Sequence, residues 1–219
     1  MTGTSLFPDA PFEIEFRCWF VTEAEAFAAL PFLKSSLTVP VDWTDAYYGF
    51  ELFQRGEVLR FAGVMGAGEA RYSLGWKGVD TGTFANLRQE LNEEVTAGIP
   101  HSRILAALAH EEGPCSLSEI VPALESAGHC YFMSYDGRSL VGRHEPLGVN
   151  TKLMRCDTLR WPLLVELEKL AGTEAEARRC ERELQDICRE YEVEAHVVRE
   201  EPGTLLYEKV FGRTPPFLL

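Results

Sequence analysis

Charge falls on every second residue in two short segments near opposite ends of this chain. They are Glu13, Glu15 and Arg17 in the first, and Glu166 and Glu168 in the second. The residues between them are apolar: Phe12, Ile14, Phe16 and Cys18, then Val165 and Leu167. A period of two predicts strands with a charged face and a core face. A strand at a sheet surface shows its polar side to water, and one such segment would mean no more than that. The alternation recurs, however. Arg71, Ser73 and Lys77 oppose Tyr72, Leu74 and Trp76; Arg60 and Ala62 oppose Leu59 and Phe61; Arg88, Glu90, Asn92 and Glu94 share one further face. Arginines and carboxylates mix on these faces, and closing the strands into a barrel would place both in one lumen. Carboxylates paired on enclosed neighbouring strands are hard oxygen donors suited to a divalent ion.

These residues resemble the CYTH, or triphosphate tunnel, family, which includes thiamine triphosphatases, inorganic triphosphatases and class IV adenylyl cyclases. The opening Glu13-Ile-Glu-Phe-Arg17 is similar to that family's E-x-E-x-K signature, with arginine in the lysine position. Asp157 to Glu168 keeps the family's spacing from an aspartate to two alternating glutamates without a gap. Between these ends, Asp45-Ala-Tyr-Tyr resembles D-x-Y-F, Val58-Leu-Arg60 resembles L-R-x-R, Tyr72 to Lys77 resembles Y-x-L-T-x-K, and Arg88-Gln-Glu90 resembles R-x-E. Arg143 falls where the family carries a late arginine. The chain departs from the pattern at Gly49, Ala62, Gly75, Asn92 and Val141, where the family has an aspartate, an arginine, a threonine, a carboxylate and a lysine. The carboxylates are thus better kept than the groups that would grip phosphate.

The resemblance implies an α+β fold: a closed or nearly closed antiparallel eight-stranded β-barrel, the tunnel, with helices packed outside. It covers most of residues 10–210 and implies a single domain over 1–219 with its core at about 10–210. It also implies a divalent-metal-dependent hydrolase of a triphosphate, whether inorganic triphosphate, thiamine triphosphate or a nucleoside triphosphate. The alternatives are a class IV-type cyclase and a non-catalytic module binding an anionic ligand. Arg17, Arg60, Arg71, Lys77, Arg88 and Arg143 would hold phosphate oxygens, Arg through a planar fork and Lys as a point charge. Glu13, Glu15, Asp157, Glu166 and Glu168 would hold Mg²⁺ or Mn²⁺. Glu13, Glu15, Lys77 and Glu90 would carry the catalytic step.

At 219 residues and 46% hydrophobic, the chain is long enough for one well-packed core. Its net charge of −13 argues against nucleic acid as a partner, since duplex binding needs a basic footprint. No segment reads as a signal peptide or membrane span, so a cytoplasmic protein with a small-molecule ligand and no membrane partner is expected. Nothing in the sequence sets an oligomeric state. The six cysteines form no C-x-x-C pair and read as reduced thiols. No P-loop, dinucleotide-binding or nucleophile-elbow motif occurs. Helical spacing predicts two interruptions of the strands: His101 to Gly128, split by Gly113-Pro114 with Ser116 or Ser118 as a cap, and Thr173 to Tyr191, opened by Thr173.

Overall fold

The computed structural model describes residues 5–215 and 217. Eight strands form, β1, β3, β4, β5 and β8 of them where the alternation predicts: β1 (Phe12–Phe20), β2 (Leu37–Tyr48), β3 (Val58–Gly66), β4 (Glu69–Lys77), β5 (Asn86–Glu94), β6 (Tyr131–His144), β7 (Val149–Arg155) and β8 (Leu163–Ala171). They run in the order β5-β4-β3-β2-β6-β7-β8-β1, and β5 pairs with β1 to close the sheet. Every one of these pairings is antiparallel. The result is a closed eight-stranded barrel. A two-residue strand, β9 (Val197–Val198), adds to β1 outside the closure.

Among the described residues seven α-helices pack around the barrel: α1 (Glu23–Ala29), α2 (Leu33–Ser36), α3 (Phe50–Gln54), α4 (Arg103–Ala109), α5 (Leu117–Ser126), α6 (Glu174–Glu190) and α7 (Pro202–Phe211). Thr173 caps α6 by accepting the Glu176 N–H, and the Ser116 N–H donates to the Glu119 carboxylate at 2.8 Å at the start of α5. Both helical interruptions therefore fall within their expected ranges. Among the described residues no helix is long and apolar enough to cross a membrane.

The two faces of each strand go to different surroundings. Ile14, Phe16 and Cys18 of β1 and Val165 and Leu167 of β8 pack against Ala177, Leu184 and Ile187 of α6. Leu59, Leu74 and Trp76 pack under α4 and α5, against Ile104, Leu105, Ile120 and Leu124. A third apolar cluster joins Trp43, Tyr47 and Tyr135, which share the charged residues' face, to Leu205, Leu206 and Tyr207 of α7. The fit of α7 is close: a Cβ on Gly203 would lie 2.8 Å from the Tyr47 ring. Gly49, where the family has an aspartate, has φ +67 and turns the chain from β2 into α3, a conformation glycine adopts without strain.

Candidate functional site

Register determines which charges meet. Glu13 is opposite Arg88 and Glu15 opposite Asn86 across β1 and β5, while Glu15 faces Glu168 and Arg17 faces Glu166 across β1 and β8. Lys77 pairs with Glu90 across β4 and β5, and Lys152 with Glu166 across β7 and β8. Apart from Asn86 and Arg88, which line a neighbouring cavity, these residues point into a cavity of about 450 Å³ inside the barrel. Its charged lining comprises Glu13, Glu15, Asp45, Glu90, Glu166, Glu168 and Glu201 against Arg17, Arg60, Lys77 and Lys152.

Arg17 is the most deeply set cation, at 2% exposure. Its guanidinium meets Glu15, donates to Glu166 Oε1 at 2.8 Å and to Asn86 Oδ1 at 2.6 Å, and lies 3.7 Å from Glu201. Lys77 donates to Glu13 and sits 3.6 Å from Glu90 and 3.9 Å from Glu15. Arg60 donates to Asp45 at 3.1 Å and lies 3.8 Å from Glu90. Lys152 reaches Glu166 at 3.0 Å. The strand β5 that carries Asn86 and Arg88 is held from outside. Glu181 of α6 accepts the N–H groups of Thr83, Phe84 and Ala85, and Asp80 accepts those of Gly82 and Leu87 together with the Asn86 amide.

Neighbouring carboxyl groups are driven apart in acidity. Burial, with a contribution from Glu90, raises Glu13 to about 7 despite Lys77. Burial, with Glu166 and Glu13 nearby, raises Glu15 well above the carboxylate range despite Arg17. Glu168 is raised by burial and by Glu13. Burial also raises Glu90 and Glu166, but Lys77, a hydrogen bond with Glu13 and Arg60 together outweigh it at the first, and Lys152 and Arg17 with their hydrogen bonds at the second, so both are lowered. Glu201 is held at about 2, its burial outweighed by Arg88, Lys77, Arg17 and Arg60.

A pH dependence of stability follows. Glu13 ordinarily titrates at 4.5 and here at about 7, so the native state keeps a proton that the unfolded chain releases between those values. Its contribution is complete below pH 4.5 and is lost as pH rises through about 7. Glu15 and Glu168 act in the same direction. Glu201 acts oppositely at lower pH: its contribution is present above 4.5 and lost as pH falls through about 2. Thermal melts should therefore show stability falling from about pH 5 to about pH 8, by on the order of 3 kcal/mol for Glu13 alone at 1.36 kcal/mol per unit. Invariant melting across that range would contradict the burial of these carboxyls.

Of the residues singled out in the sequence, Glu13, Glu15, Arg17, Arg60, Lys77, Glu90, Glu166 and Glu168 line the one cavity, and Arg88 lies beside it, its Nη1 3.3 Å from Glu201. Three others are elsewhere. The Arg71 side chain is 70% exposed beside Glu69, and that of Arg143 is 50% exposed beside Glu145. Asp157 is exposed in the turn after β7 and lines a different groove. Among the described residues no three His, Cys, Asp or Glu side chains converge as a preformed metal cage. The donor chemistry nonetheless fits Mg²⁺ or Mn²⁺: Glu13, Glu15 and Glu168 bring hard carboxyl oxygens to one cavity, and Mg²⁺ is commonly held by one or two carboxylates plus phosphate oxygens and water.

Lys152, Asp45, Tyr47, Tyr135 and Glu201 line the cavity without having been singled out as site residues. Lys152 had a legible signal, the alternation of Asn150, Lys152 and Met154 against Thr151 and Leu153. It also accounts for one departure: Val141, where a lysine was expected, is the register partner of Lys152, so the neighbouring strand brings a cation to that part of the wall. Glu201 precedes Pro202 and reads from sequence only as the start of a helix.

No family model matches this chain, and no curated protein matches it in sequence. Solved structures do match. The PH1819 protein from Pyrococcus horikoshii OT3 is 18% identical with a TM-score of 0.69, over 90% of this chain and 99% of that one. HpAC1 from Hippeastrum, described as an adenylyl cyclase candidate with a dominant triphosphatase activity, is 14% identical with a TM-score of 0.57, over 94% and 98%. A chain of the Schizosaccharomyces pombe Mediator head module is 11% identical with a TM-score of 0.55, over 85% and 97%. At these identities the likeness is one of fold. With a closed antiparallel barrel whose lumen gathers the alternating charges, the chain has the CYTH, or triphosphate tunnel, fold.

Proposed function

We propose that the tunnel binds a triphosphate, inorganic or carried on an organic group, and hydrolyses it with the help of Mg²⁺ or Mn²⁺. The observation that carries this reading is the concentration of buried ionisable groups of both kinds, acidic and basic, in one cavity. Packing alone does not call for it, because a buried ion pair is often no more stabilising than apolar side chains of the same volume. The triphosphatase activity named for HpAC1, which shares the fold, supports hydrolysis over cyclisation. Lys77, Arg60, Arg17 and Lys152 surround the space a polyphosphate would fill, and their charge is already in place when it enters. Glu13, Glu15 and Glu168, with Glu166 beside them, would hold the divalent ion, which supplies charge neutralisation at the phosphates and eases ionisation of water. Water adds to the terminal phosphorus and gives up a proton to a tunnel carboxylate, the bond to the bridging oxygen breaks, and diphosphate, free or on its organic group, leaves with that oxygen. All six cysteines are free thiols, which supports a reducing, cytoplasmic setting.

One observation favours a second reading, a module that binds an anionic ligand without turning it over. Arg17, Arg60, Lys77, Arg88 and Lys152 each already face a carboxylate, which a ligand would have to displace or share. The same fold in a Mediator head module chain shows that the barrel is not confined to proteins described as enzymes.

The deciding experiment offers inorganic triphosphate, thiamine triphosphate, ATP and GTP with Mg²⁺ or Mn²⁺ and follows phosphate and cyclic nucleotide together. Release of phosphate is expected. Cyclic nucleotide from ATP would instead establish a cyclase, and saturable triphosphate binding with no product would establish the binding module.

A further inference from the structure

Glu201 is the tunnel carboxylate that no strand supplies. It stands at the N-cap of α7, a ten-residue helix whose Leu205, Leu206 and Tyr207 anchor it in the apolar cluster with Tyr47 and Tyr135. From there its carboxylate reaches between two arginines of adjacent strands. Oε2 lies 3.3 Å from Arg88 Nη1 and Oε1 lies 3.7 Å from Arg17 Nη2. The fit is loose for a buried ion pair. Glu201 Oε1 and Arg88 Nε are both buried without a hydrogen-bond partner, although the Arg88 side chain is 7% exposed. Leaving such groups unsatisfied is costly, and native structures rarely do so without a reason. Arg17 keeps Glu15 and Glu166 as partners, but Arg88 has no other carboxylate within ion-pair distance among the described residues.

A planar carboxylate offers two acceptor oxygens, whereas a tetrahedral phosphoryl group offers three and suits the forks of two arginines better. We propose that Arg17 and Arg88 form an anion subsite for a phosphoryl group and that Glu201 occupies it in the free protein, so that Glu201 sets the affinity for phosphate ligands by competing with them. This deepens the tunnel reading and rests on it for the ligand class. A phosphoryl oxygen entering there takes the hydrogen bond that Arg88 Nε lacks, and the Glu201 carboxylate moves out towards the cavity on its far side. That second cavity, also about 450 Å³, is lined by Glu201 and Val58, which line the tunnel too, by Arg88 itself, and by Arg55 and Arg199, so that Arg88 stands between the two spaces.

The test uses two variants of the full chain. Glu201→Gln removes the competing charge and keeps the shape; its affinity for inorganic triphosphate, measured by titration calorimetry, should rise about tenfold or more, and unchanged or weaker binding would overturn the proposal. Glu201→Ala leaves the two arginines facing a gap. Its melting temperature should fall, and millimolar inorganic phosphate should restore it while leaving wild type unmoved. Phosphate that shifts both proteins equally, or neither, would overturn the subsite. If Glu201→Ala does not fold, Glu201→Gln decides alone. Failure here is separable from failure of the tunnel reading. Wild type that binds triphosphate while neither variant responds as stated keeps the tunnel and removes the role of Glu201. Phosphate rescue of Glu201→Ala with no triphosphate binding by wild type does the reverse.

Discussion

Replacing Arg17 by methionine should lower the unfolding free energy by about 3–5 kcal/mol, the scale for removing one partner of a buried ionic group. Arg17 contacts Glu15 and donates to Glu166 and Asn86, and all of this occurs at 2% exposure. Without the guanidinium, Glu166 keeps Lys152 at 3.0 Å, but Glu15 is left with Lys77 at 3.9 Å and a glutamate opposite it in register. Protonation of Glu15 absorbs part of the cost, so the loss should be larger at pH 8 than at pH 5. Urea denaturation at the two pH values measures it. A loss under about 1 kcal/mol at both would place these charges in the class of solvent-screened pairs and would contradict an enclosed lumen.

Lys77→Ala should separate ligand binding from stability. Its ammonium has Glu13, Glu90 and Glu15 around it, and Arg60 is the nearest other cation to Glu90, at 3.8 Å. Removing an oriented electrostatic contact of this kind should weaken triphosphate binding or turnover by about 10²-fold or more. The stability cost should be smaller than for Arg17→Met, because Glu13 already titrates at about 7 and takes up a proton when its cation is removed. Calorimetric titration and thermal melts on the same preparation decide the matter. Large destabilisation with unaltered ligand affinity would mean that the charges hold the barrel together and that the ligand site is elsewhere.

The alternation of single residues carried most of this architecture. In β1 and β8 the period of two separates Ile14, Phe16, Val165 and Leu167, under α6, from Glu13, Glu15, Arg17, Glu166 and Glu168, in the lumen. A one-residue slip in register would have reversed both sets. Alternation tells which face a side chain takes but not how far along a tilted strand it sits. Arg71 pairs with Val64 and Arg143 with Asn150, both in phase with lumen residues, yet they lie near strand ends and are solvated. Asp157 keeps the family spacing to Glu166 but falls after β7 has ended at Arg155, in a turn. Glu201 was illegible for another reason: it enters the lumen from a helix cap, by a tertiary contact that no local period encodes. Lys152 was legible by alternation alone, but Val141 on the preceding strand drew attention to a missing cation rather than to its supplier across the ladder.

The central claim is that the charged lumen is a triphosphate site. It is tested most directly by titrating inorganic triphosphate, with and without Mg²⁺, into wild type and into the Arg60→Ala, Lys77→Ala double variant. Saturable one-to-one binding that Mg²⁺ strengthens, lost by about 10²-fold or more in a double variant that still melts cooperatively, is the predicted result. Equal affinity in the two proteins, or no saturable binding by wild type in either condition, would contradict it.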